Sequence, residues 1–167
     1  MNGMAWRGDF PGERVQLPAV RRLSAALLAD CPVRDDAISC VVELASNAIL
    51  HTRSAGGVFT VGIWSYGTIA RVAVKDAGGS GEPVVRAGPH LAESGRGLAI
   101  VAALCARLGV AGGEGGRVVW ADLSCGCAGV DVPWEKVPLL EAACEYCGSL
   151  KDGQSRTGLP DRSSSKP

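Results

Sequence analysis

Between Gly56 and Lys75 the hydrophobic pattern changes from a helical period to strict alternation: "GVFTVGIWS" and "TIARVAVKD" are β-rich runs separated only by "YG". Two such runs joined by so short a connection predict an antiparallel hairpin, the nucleus of a sheet. The segments on either side are helical. From Pro18 to Asp30, Val20, Leu23, Leu27 and Leu28 recur at helical spacing, and Cys31-Pro32 breaks the pattern. A second helix is expected after Val33, with Asp35 or Asp36 in its first turn, running to about Thr52 with Ile38, Val42, Ala45 and Ile49 as its buried stripe. "GRGLAIVAALCARLG" predicts a third helix closed by Gly109. "MAWRGDF" reads as an edge strand ended by Pro11-Gly12, and "RVVWADLS" as the last strand. Strand, two helices, two strands, loop, helix, strand is an order that suits an α+β fold, with helices packed on one face of a mainly antiparallel sheet.

The chain's 167 residues suit one compact domain with appendages. This domain is expected at residues 1–124, followed by a cysteine-containing extension at 125–150 and a polar tail at 151–167 with the composition of disorder. Aromatic residues make up only 5% of the chain, so the core is expected to be aliphatic. Seventeen basic residues cancel seventeen acidic ones, so no global field points to nucleic acid or to a membrane surface. The N-terminus lacks a signal peptide's apolar segment and no apolar run is long enough to span a bilayer, which makes the cytoplasm the expected compartment. Seven cysteines, an odd number, argue against a disulfide framework.

Three polar side chains interrupt the second helix at four-residue intervals. In "ELASNAILH", Glu43, Asn47 and His51 share one helix face and form a line about 12 Å long. An acid can orient a water or hydroxyl, an amide oxygen can coordinate a hard cation and an imidazole can meet a phosphate, although alone the line is an ordinary solvated edge. The second predicted hairpin strand ends in "VKDAGGSG". A carboxylate there, at Asp76, can accept a hydrogen bond from an exocyclic amine, while Gly78 lets a ring approach the backbone; an Asp-initiated turn is the alternative. Residues 76–93 carry enough glycine and proline to predict a long loop, after which Gly95, Arg96 and Gly97 open the third helix. Backbone N–H groups at such a start favour phosphate oxygens. Neither a dinucleotide fingerprint nor a P-loop is present.

In order and spacing, "ELASNAILH", "DAGGSG" and "GRGL" resemble the N box and the two glycine boxes of the ATP-binding family shared by DNA gyrase, the Hsp90 chaperones, sensor histidine kinases and MutL. "VVELASNAILHT", "VKDAGG" and "ESGRGLAIVAAL" are most similar to the single-domain anti-sigma factor serine/threonine kinases, over about residues 15–124. The resemblance implies a two-layer α/β sandwich of the Bergerat type, with ATP–Mg²⁺ enclosed between helices, a glycine-rich lid and the sheet. It assigns Mg²⁺ to Asn47, activation of the attacking hydroxyl to Glu43 and the adenine amine to Asp76. Gly78 would flank the adenine; Gly95, Arg96, Gly97 and Leu98 would close on the phosphates, and His51 would sit near them or merely end the helix. A sigma factor, an anti-anti-sigma protein and a second copy of the chain are the implied partners, with no direct nucleic acid. An ATP-binding regulatory module without kinase activity is the alternative. The first glycine box departs from Asp-x-Gly-x-Gly, since its last glycine comes one position late at Gly81. Cys125, Cys127, Cys144 and Cys147 supply four thiols that would suit tetrahedral zinc, against thiol redox sensing or plain packing.

Overall fold

The computed structural model describes residues 4–79 and 97–126 of the chain. Strand β1 (Met4–Pro11) is followed by a 3-10 turn (Arg14–Gln16) and helices α1 (Leu17–Leu27) and α2 (Arg34–His51). The hairpin β2 (Val58–Tyr66) and β3 (Ile69–Asp76) comes next, then α3 (Gly97–Leu104), β4 (Arg107–Gly113) and β5 (Gly116–Ser124). The five strands form one sheet in the order β1-β2-β3-β5-β4, with every neighbouring pair antiparallel. This is the expected α+β sandwich, with the helices on one face.

Alternation along the strands sets the two faces of this sheet. Phe59, Val61 and Ile63 of β2, Val72 and Val74 of β3, and Val119, Ala121 and Leu123 of β5 join Val20, Ala37, Val41, Leu44, Ala45 and Ala48 of the helices in one aliphatic core. α2 is central because small and branched residues cover so much of its circumference: Ala37, Ile38, Cys40, Val41, Leu44, Ala45, Ala48 and Ile49 are all buried. Val42, expected in that stripe, is only half-buried at the edge of the core. Asp35 and Asp36 lie in the first turn, where the helix dipole favours them. Cys40 is wholly buried in the core, and burial pushes its thiol up to about 12; burial likewise raises Cys105 to about 11. Both behave as small hydrophobes, as does Cys31 at the core's margin.

One sequence expectation is overturned. The third helix stops at Leu104 instead of running to Gly109, and residues 107–113 form β4, a fifth strand. Gly109 caps nothing: it lies opposite Trp120 of β5, and a Cβ there would overlap the indole ring. "RLGVAGG" carries too few branched or aromatic residues to announce a strand, and its pairing with "RVVWADLS" supplies what local propensity lacks. Gly109→Ala is expected to destabilise the fold by about 1–3 kcal/mol, because the ring must shift off its neighbour. Chemical denaturation checks this, and a loss below a few tenths of a kcal/mol would show that the indole moves freely.

Candidate functional site

Helix α2 carries Glu43, Asn47 and His51 along one edge, as the four-residue spacing requires. Glu43 and Asn47 are half-buried, whereas His51 is exposed in the last turn. The first residue of α3 comes directly against that edge. A Cβ on Gly97 would stand 2.7 Å from Glu43 Oε2 and 3.3 Å from Asn47 Oδ1, so the backbone there approaches the acid and the amide as only glycine allows. Leu98 turns inward and packs on the core, fixing the start of α3. The structure therefore brings together Glu43, Asn47 and Gly97. Gly95 and Arg96 lie outside the described residues, as does most of the expected loop at 76–93.

Asp76 ends β3 on the helix-facing side of the sheet, two residues beyond the core residue Val74. It is 7% exposed, and its Oδ1 accepts a hydrogen bond from the Gly78 N–H at 2.6 Å. Burial raises the Asp76 pKa, while the Gly78 N–H and the Arg117 guanidinium act against that rise. Gly78 has φ of 72° and lies beneath the β4–β5 turn, where a Cβ would overlap the Glu114 carbonyl. The turn is thus built around a glycine in the left-handed region.

Residues that the sequence reading did not single out hold this turn in place. The Arg53 N–H donates to the Gly78 carbonyl at 2.9 Å, and its guanidinium donates to the carbonyls of Ala77 and Glu114. The fully buried Ser54 hydroxyl accepts from the Ala77 N–H at 2.9 Å. Arg117, in register opposite Asp76, donates to the Gly79 carbonyl at 3.3 Å. The end of the polar helix is thereby tied to the strand-end carboxylate. Arg53 and Ser54 follow His51 and Thr52 in the chain, but their partners in this turn lie more than 20 residues away.

Two walls result: an acid and an amide against a glycine-opened helix, and a buried carboxylate in a glycine turn at a strand end. Both lie on the helix-facing side of a two-layer sandwich. The sequence profile of the histidine kinase-like ATPase domain matches residues 10–123. The chain belongs to that family. Among solved structures, it is similar to that of the RsbU and RsbW domains of Rv1364c from Mycobacterium tuberculosis, with a TM-score of 0.55 and 17% identity. That similarity covers 72% of this chain, which spans only 32% of the other. No curated protein matches the chain. No helix among the described residues is long and apolar enough to cross a membrane.

No group of three or more His, Cys, Asp or Glu side chains that could hold a metal occurs among the described residues. An amide oxygen at Asn47 with a carboxylate one turn away fits an ion that takes its other ligands from phosphates and water, which is the habit of Mg²⁺. Of the four cysteines considered for zinc, Cys127, Cys144 and Cys147 lie outside the described residues. Cys125 is disulfide-bonded, so it supplies no thiolate for zinc, and the bond corrects the expectation drawn from the odd cysteine count.

Proposed function

We propose that the chain binds ATP–Mg²⁺ and acts as an anti-sigma-type regulator, transferring the γ-phosphoryl group of ATP to a serine or threonine hydroxyl of an anti-anti-sigma partner. The observation that carries this reading is the approach of Gly97 to Glu43 and Asn47, which places a helix start beside both an acid and an amide oxygen. Membership of the histidine kinase-like ATPase family and similarity to a structure containing an RsbW domain support it.

In this reading Asp76 accepts the hydrogen bond of the adenine amine, and the absence of a side chain at Gly78 leaves the ring room against the backbone. Asn47 Oδ1 holds Mg²⁺, which when bound neutralises phosphate charge. The N–H groups opening α3 face the phosphate oxygens. Glu43 accepts the proton of the attacking hydroxyl as its oxygen bonds to the γ-phosphorus and the bond to the β-phosphate oxygen breaks, leaving ADP and a phosphoester. Positioning and charge neutralisation do most of the work in such a transfer. The family unit would end near Ser124, and a second copy of the chain or a sigma factor would use its outer surfaces.

Incubation with labelled ATP–Mg²⁺ and candidate antagonist proteins tests the proposal. Glu43→Ala is expected to lower transfer by about 100-fold or more while nucleotide affinity changes only a few-fold. Asn47→Ala is expected to lose Mg²⁺-dependent binding. Wild-type binding without label transfer to any partner would instead identify an ATP-responsive regulator, and failure of wild type to bind ATP would overturn both.

A further inference from the structure

The face of the sheet turned away from the helices carries a second cluster made of strand residues: Ala73, Val118 and Trp120, with Trp64 and Ala111 against them. Between them lies an ion pair in which Arg71 Nε and Nη2 donate to the two carboxylate oxygens of Asp122 at 2.5 and 2.8 Å. Among the described residues no helix contributes to this cluster. Nevertheless Trp120 is 9% exposed, Val118 2%, Arg71 4% and Asp122 0%. The indole lies over Gly109 on the neighbouring strand. A bare sheet face cannot bury a tryptophan and a guanidinium–carboxylate pair to this extent; something covers them. At the rims Ala5 and Asp9 of β1 and Arg107 of β4 remain exposed, so the cover is centred on β3 and β5.

We propose that the chain's own segment 127–147 is this cover. It starts just beyond β5, the strand that carries Val118, Trp120 and Asp122. To return over Val118 it must retrace six residues of strand, about 20 Å, whereas 21 residues reach about 30 Å even when helical. Its sequence "CAGVDVPWEKVPLLEAACEYC" supplies Val130, Val132, Trp134, Val137, Leu139 and Leu140 for the apolar cluster. Charge also matches. By register the face presents Arg7, Arg71, Lys75 and Arg107 against Asp9 and Asp122, while the segment carries four acidic residues and one basic. Gly79 and Gly97, which flank residues 80–96, both lie against α2 or its C-terminal end on the opposite side of the sheet.

Hydroxyl-radical footprinting of the full chain tests it. In the wild type Trp120 is expected to be protected at every protein concentration. In the full-length Leu139→Asp/Leu140→Asp variant, Trp120 modification rises about fivefold or more while Phe59, under the helices, stays protected. Zero-length carbodiimide cross-linking of a mixture of isotopically light and heavy wild-type chains is the second measurement. It is expected to join Lys75 to an acid of residues 131–145 within one chain, and it decides the matter should the variant fail to fold. Trp120 labelling at the unfolded-chain rate in wild type, protection that grows with concentration alongside light-to-heavy links, or no intrachain link from Lys75 to the segment would each overturn the proposal. The second of these outcomes would mark a second copy as the cover.

Discussion

Asp122→Ala is expected to cost about 3–5 kcal/mol and to lower Tm by about 10–20 °C, because it removes the carboxylate that accepts two hydrogen bonds from the buried Arg71 guanidinium. Both Arg71–Asp122 hydrogen bonds join groups with almost no solvent contact, so water cannot take the place of the lost carboxylate. The half-exposed Arg107, 3.9 Å from Asp122, adds a weak attraction and cannot substitute for it. Against a total stability of about 5–15 kcal/mol for a domain, such a loss is large. Replacing both partners, as in Arg71→Met/Asp122→Leu, is expected to cost much less than the sum of the single changes, since no orphan charge remains. Denaturant titration of the three variants forms a double-mutant cycle. A loss below about 1 kcal/mol for Asp122→Ala would mean that water reaches the pair and that this face is open.

Asp76→Asn is expected to weaken ATP binding by about 30- to 100-fold, or 2–3 kcal/mol, while leaving the fold intact. Asparagine can still accept the Gly78 N–H, but it loses the charge that makes the carboxylate a strong acceptor for an amine. Burial penalises the ionised form of Asp76 and raises its pKa above the ordinary 3.8. Stability held by the protonated form is fully present below 3.8 and is lost as pH rises through the raised folded value, so at neutral pH the unliganded variant should be at least as stable as wild type. ATP affinity runs the other way. It should fall as the solution is acidified through that same raised pKa, and the fall should vanish in Asp76→Asn. Titration calorimetry across pH, paired with thermal unfolding of the free proteins, checks both halves. Unchanged ATP affinity in Asp76→Asn would remove Asp76 from the nucleotide site.

Much of the site could be read before any coordinates because its signals are local. Glu43, Asn47 and His51 fall on one edge through the helical period alone, and Asp76 reaches a strand end because alternation stops where the glycines begin. What the spacing could not say is that His51 would be exposed while Glu43 and Asn47 lie against Gly97. Arg53, Ser54 and Arg117 carried no signal at all. Their roles depend on carbonyls and N–H groups of a turn distant in sequence, and any surface arginine or serine looks the same in the chain.

The strands divide in the same way. β2 and β3 announce themselves by branched and aromatic residues at alternate positions, whereas β4 is a strand because β5 pairs with it and Trp120 needs a glycine beneath its ring. Within "TIARVAVKD" and "RVVWADLS", Arg71 and Asp122 occupy positions that alternation would give to solvent. Register sets them side by side, and burial turns two ordinary polar residues into a coupled pair. The amino-acid sequence by itself determined most of the elements, the family and the shared helix edge of Glu43, Asn47 and His51, since propensity and periodicity act over a few neighbouring residues. Only the tertiary structure decided the fifth strand, the anchoring of the Asp76 turn and the burial of the second sheet face, because each depends on contacts between residues far apart in the chain.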